Sequence, residues 1–178
     1  MGLDSWLWDE DTLKTRDEKS QNFLKYRFIA SDNTHLRNFR FFCFGMFVWH
    51  EFMNLAEDWT VTWYMAEKMT TWSWYIWGSF LAMACLGHLQ HDILGKAYPS
   101  SDSTSPFALW KVVSVLFELS CVCQIMATVI FWAMIAPSYV PERWTWLRLT
   151  QHGVGPLLLL FDWFFNQILI ERRHWVLV

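Results

Sequence analysis

The chain has 178 residues, of which 54% are hydrophobic, 19% aromatic and 17% charged, with 14 tryptophans among them. That apolar excess is larger than a water-soluble domain of this length carries, and its collection into long runs calls for lipid as part of the solvent. A net charge of −3 with no Lys/Arg-rich stretch excludes nucleic acid as a partner.

Residues 1–38 form a polar N-terminal extension rich in both acids and bases, which matches neither a secretory signal peptide nor an acid-poor transit peptide. Its opening, "MGLDSW", misses the myristoylation pattern because Trp6 stands where Ser or Thr is needed. Within "DSWLWDEDTLK", the side chains of Trp6, Leu7 and Trp8 are apolar anchors suited to a partner protein or a membrane surface.

Residues 39–178 read as a transmembrane helical domain. The first span runs from Phe39 to about Ala56 and is interrupted by His50 and Glu51. The second, "MTTWSWYIWGSFLAMACLGHL" from Met69 to Leu89, carries Gly78, Ser79, Ala82 and Ala84 where another helix can approach closely. A loop with Pro99, Pro106 and a serine cluster leads to the third, from Ala108 to Ala136, which is expected to stop at Pro137. The fourth runs from Leu147 to Ile170, with Gly153, Gly155 and Pro156 near its start.

Lys14, Arg16, Lys19, Lys25, Arg27, Arg37 and Arg40 lie before or at the very start of the first span, and Arg172 and Arg173 follow the fourth. Lys68 lies between the first two spans, and Arg143 and Arg148 between the last two. This bias puts both termini on the cytoplasmic or matrix side and requires an even number of spans. The expected fold is therefore all-α, an integral membrane bundle of about four transmembrane helices. Cys43, Cys85, Cys121 and Cys123 all fall in apolar segments, where thiols act as packing groups.

In that topology Thr70 and His152 enter the membrane from the same side and lie at similar depth. A hydroxyl and an imidazole so placed can serve as nucleophile and general base towards an ester. The structural alternatives are a helix cap or backbone hydrogen bond for Thr70 and an interhelical hydrogen bond for His152. Asp162 and Asn166 fall within roughly 80° of the His152 direction on an ideal helix, so they are candidate supporting groups. Glu118, midway along the third span, is a further candidate, with His50 as a plausible structural partner.

His50, Glu51, His88 and His91 are candidate metal ligands. However, "HEFMN" has Asn54 where the zinc-protease motif needs its second histidine, and "HLQHD" supplies only one pair a helical turn apart. Neither a metal nor a cofactor is expected, and no Gly-rich phosphate loop or GxSxG elbow occurs.

Four stretches in order, "KMTTWSWYIW", "LWKVVSVLFELSCVCQIMATVIFW", "QHGVGPLLLLFDWFF" and "RRHW", resemble the rolling stone and androgen-induced family of polytopic membrane proteins. The resemblance covers roughly residues 65–178, with Met69-Thr70, Phe131-Trp132 and His152-Gly153 at the matching steps. It implies an intramembrane threonine hydrolase of fatty-acid esters of hydroxy fatty acids, with Thr70 and His152 as the working pair. The rolling stone branch keeps such motifs without a hydrolase role, and this chain ends where a fifth span would begin. The chain is thus expected to be a fragment of a six-span protein or a bundle lacking a wall.

Three functions follow as expectations. The first is an accessory structural subunit of a larger membrane complex, held to other subunits by the N-terminal segment and Trp-rich surfaces and bathed in membrane lipid. The second is the Thr70/His152 ester hydrolase. The third is a metal or cofactor binder built on His50, Glu51, Glu118, His88 and His91. The organelle stays open between the mitochondrial inner membrane and the endomembranes.

Overall fold

Long apolar runs free of interior proline satisfy their backbone most readily as helices, because each N–H finds its acceptor within the same segment. The computed structural model describes residues 34–57, 69–90, 109–138, 146–166 and 168, and their regular structure is helical, with no β-strand among the described residues. Helix α1 is Thr34–Glu57, α2 is Met69–His88 and α3 is Leu109–Ile130. Helix α3 continues into a π-helical turn, Phe131–Ile135, and a 3-10 turn, Ala136–Ser138. The last passage comprises α4 (Trp146–Leu149), a π-helical turn (Thr150–Val154) and α5 (Gly155–Phe165).

Three boundaries differ from expectation, each for a physical reason. Helix α1 starts at Thr34, inside the stretch assigned to the polar extension, and buries Leu36. The third passage does not stop at Pro137 but carries it in the 3-10 turn. The chain has already left α geometry at Phe131, so the missing proline N–H breaks no α-helical bond there. The fourth passage ends at Phe165 rather than Ile170 because Asn166 adopts an extended conformation and terminates it. The Asn166 side chain donates to Asp162 Oδ1 at 2.7 Å and accepts the Ile168 N–H at 2.9 Å, replacing the helical bonds with a local turn.

The four passages run alternately up and down. Arg40 of α1 reaches His88 at the end of α2 and Asp162 near the end of α5, whereas His50 packs on Trp74 near the start of α2 and bonds the Leu147 carbonyl. Phe80 meets Phe117 midway between α2 and α3, at 5.2 Å between ring centroids. Helix α2 is the central element, with Trp74, Trp77, Phe80, Leu81 and Ala84 all buried. Two glycines permit its close contacts. A Cβ on Gly78 would strike the Phe47 ring, and one on Gly155 would lie 2.6 Å from Trp74 Cζ3.

The outer surface is strongly apolar: Phe42, Phe52, Val129, Met134, Leu157 and Phe164 are each more than half exposed. Among the described residues one helix, Leu109–Ile135, is long and apolar enough to cross a membrane. All four cysteines are free thiols in or against the helical core.

Candidate functional site

Many of the buried polar side chains gather in two layers, one at each end of the bundle, with Glu118 and Ser120 near the middle of α3. The layer containing Thr70 is built from the second half of α1, the first turns of α2, the end of α3 and the π turn before α5. Glu51 is its charged centre. Its Oε1 accepts the Trp74 indole N–H at 2.9 Å, its Oε2 accepts the Tyr75 hydroxyl at 3.1 Å, and the His50 Nδ1 lies 3.1 Å from Oε1. His50 Nε2 donates to the Leu147 carbonyl at 3.3 Å, and Asn54 Nδ2 stands 3.0 Å from Nδ1. With Nε2–H committed to Leu147, a neutral ring accepts from Asn54 and a charged ring donates to Glu51.

Thr70 stands on the first turn of α2. Its backbone carbonyl accepts the Ser73 hydroxyl at 2.7 Å and the Gln151 side-chain amide at 3.1 Å. The latter bond ties the beginning of α2 to the π turn that holds His152, so the two expected site residues belong to one layer. No hydrogen bond joins the Thr70 hydroxyl to the His152 ring among the described residues. The imidazole instead lies flat on Phe131, 3.8 Å between centroids and 5° between planes, and the His152 carbonyl accepts the Trp132 indole N–H at 2.8 Å. Both partners of that stack sit in π-helical turns, which are frequent at functional sites. Thr71 and Thr150 are also buried here, with hydroxyls that find no partner among the described residues.

Asp162 and Asn166 are not brought to this layer. Asp162 lies roughly 15 Å along the helix from His152, at ten residues of helical rise. It anchors the opposite layer, where the Arg40 guanidinium grips its carboxylate with two bonds of 2.8 Å, from Nε to Oδ2 and from Nη2 to Oδ1. Both side chains are sealed, at 0% and 1% exposure, and a bidentate charge-assisted pair of this kind is among the stronger polar contacts a protein makes. Arg40 also sits 5.4 Å over the Phe80 ring, with Nη1 3.5 Å from His88 Nε2.

The other candidates are dispersed. Glu118 is buried midway along α3, and His50 bonds Glu51, Asn54 and Leu147 rather than Glu118. His50 and Glu51 lie in one layer and His88 in the other, while His91 is outside the described residues. Among the described residues no group of three or more His, Cys, Asp or Glu side chains is placed to hold a metal ion.

Sequence reasoning missed Arg40 as a site residue, counting it only towards membrane orientation, and missed Trp74, Tyr75 and Gln151. The signal for Arg40 was present: it is a lone cation between Phe39 and Phe41, and "LLLLFDWFF" contains a lone anion that needs one. Compared with known proteins, the chain matches no family model, no curated protein and no solved structure.

Proposed function

We propose that the chain is a four-span integral membrane bundle acting as an accessory, structural subunit of a larger membrane protein complex. The membrane reading draws on α3, on the apolar exterior, and on dimensions: the 20 residues of α2 rise roughly 30 Å, the thickness of a bilayer's hydrocarbon core. The polar layers suit it too, since Trp74 and His88 are separated by roughly 21 Å of helix whose buried neighbours are chiefly aromatic and aliphatic.

The observation that carries the structural role is the use made of the ionisable side chains. Arg40 and Asp162 form a buried bidentate pair between α1 and α5, and Glu51 of α1 accepts bonds from Trp74 and Tyr75 of α2, so these groups are used to join helices. Interhelical polar bonds serve as glue where lipid offers no hydrophobic drive for association. The test is mild-detergent extraction of the full chain from its native membrane, followed by particle mass. A particle larger than one chain in its micelle, with a fixed set of companions lost on deleting residues 2–30, agrees with the proposal. A monodisperse single-chain particle refutes it.

A second reading is favoured by one observation: the Gln151–Thr70 bond puts a hydroxyl and an imidazole, neither hydrogen-bonded to a described residue, in one layer. Together with the resemblance to androgen-induced hydrolases, this supports a lipid-ester hydrolase with Thr70 as nucleophile and His152 as base. A lipophilic fluorophosphonate should then label the wild type and spare Thr70→Ala. Labelling that persists in this variant removes Thr70 from the mechanism.

A further inference from the structure

The layer around Thr70 has an outer rim that its inner chemistry does not explain. Trp49, Trp72, Trp132 and Trp146 are 59%, 59%, 42% and 62% exposed, although tryptophan is a side chain that bundles normally bury. Each comes from a different passage of the bundle: α1, α2, the π turn after α3, and α4.

Their common level follows from neighbouring contacts. Trp49 precedes His50, whose ring bonds the carbonyl of Leu147, the residue after Trp146. Trp72 precedes Ser73, and Ser73 and Gln151 both bond the Thr70 carbonyl. Trp132 donates its indole N–H to the His152 carbonyl, next to Gln151. All four thus lie within about one helical turn of a single plane across the bundle. Among the described residues the one exposed tryptophan away from this end is Trp163.

We infer that these four tryptophans form an interfacial ring that seats the Thr70 end of the bundle at the lipid–water boundary of one leaflet. The inference rests on the membrane reading above and adds a depth and an occupant to it. A protein partner covers one side of a bundle, whereas the interface surrounds it, and exposed indoles on all four passages at one level fit the latter. Indole suits that boundary because its ring is apolar and its edge polar, which concentrates tryptophan at the headgroup level of membranes. The ring also fixes the depth of the layer inside it: Thr70, Gln151 and His152 lie at the level where the ester carbonyls of glycerolipids begin.

The test uses the full chain reconstituted in phosphatidylcholine vesicles in which some lipid carries a nitroxide, either near the headgroup or near the end of the acyl chain. Tryptophan quenching is compared between the wild type, the four single Trp→Phe variants and the variant with all four replaced; phenylalanine keeps the apolar area needed for insertion. The expected result is that each single variant loses part of the shallow quenching with little change in the deep quenching. Replacing all four should move the shallow-to-deep ratio towards unity. If the four-fold variant does not fold, the singles decide. Shallow quenching that survives unchanged, or that responds at tryptophans on one side only, overturns the ring. Absence of quenching by either lipid, in every variant, overturns the membrane reading itself.

Discussion

Replacing Asp162 with leucine should be the most damaging single change among the polar residues, and the structure gives its size. The substitution removes both 2.8 Å carboxylate acceptors of Arg40, which is fully buried. Breaking one side of a buried pair costs about 3–5 kcal/mol, because the surviving buried charge loses its counter-charge. The Asn166 amide loses its Oδ1 acceptor in the same step, a further loss of about 1–3 kcal/mol if it finds no other. At roughly 1.4 kcal/mol per factor of ten, the pair alone lowers the folding equilibrium by at least a hundredfold. The double variant Arg40→Leu/Asp162→Leu should recover most of this, since two well-packed apolar side chains often match or exceed the stability of a buried pair. The assay is reversible unfolding in mixed micelles, with the intrinsic fluorescence of the tryptophans as signal, carried round the full double-mutant cycle. A single variant within about 0.5 kcal/mol of wild type, or a double variant as unstable as the single, would refute the argument that this ion pair clasps α1 to α5.

Three further outcomes follow from the geometry. Gly155→Ala should destabilise by about 1–3 kcal/mol because its methyl meets the Trp74 ring, whereas Gly45→Ala, with nothing within 4 Å, should be neutral or slightly stabilising; melting temperatures of the two compare them directly. Trp74→Phe and Tyr75→Phe each remove a donor to Glu51 and should lose about 1.5–3 kcal/mol, with little extra loss when Glu51 is already Gln; a cycle showing no coupling would remove Glu51 from the helix contact. Gln151→Ala deletes one interhelical bond to the Thr70 carbonyl and should cost about 0.6–1.7 kcal/mol, read from the same unfolding curves.

The helical character and the order of the segments were legible because their signal is local: long apolar runs, small residues where helices meet, and turn-forming residues between them. The shared level of Thr70 and the His152 turn was also legible, since alternating passages alone bring the start of α2 to the start of the fourth passage. The company of Asp162 was not. Its angle from His152 was reckoned along an ideal α-helix, but the π turn at Thr150–Val154 shifts that register, and its true partner lies 122 positions away in α1. Arg40 was hidden by a competing explanation, since a basic residue just before a span is also what membrane orientation requires. The end of α5 was missed because apolar content continues past Phe165, whereas the side chain of Asn166 decides the matter through a local turn.

The π turn before α5 has a consequence for how this chain can tolerate changes in length. A π turn holds one more residue than the α turn it replaces, so removing a single residue between Thr150 and Val154 would let the passage close into an uninterrupted α-helix. Everything upstream would then keep its facing about the helix axis, because the wider turn takes up its extra residue within one revolution, whereas the same deletion in a regular α turn would swing the upstream residues by roughly 100°. Leu147 would stay on the side of His50, and Arg40 and Asp162 at the far end would be undisturbed. The π turn is therefore the slack in this passage, and removing one residue there should be less disruptive than removing one from within α5, where no turn has a residue to spare.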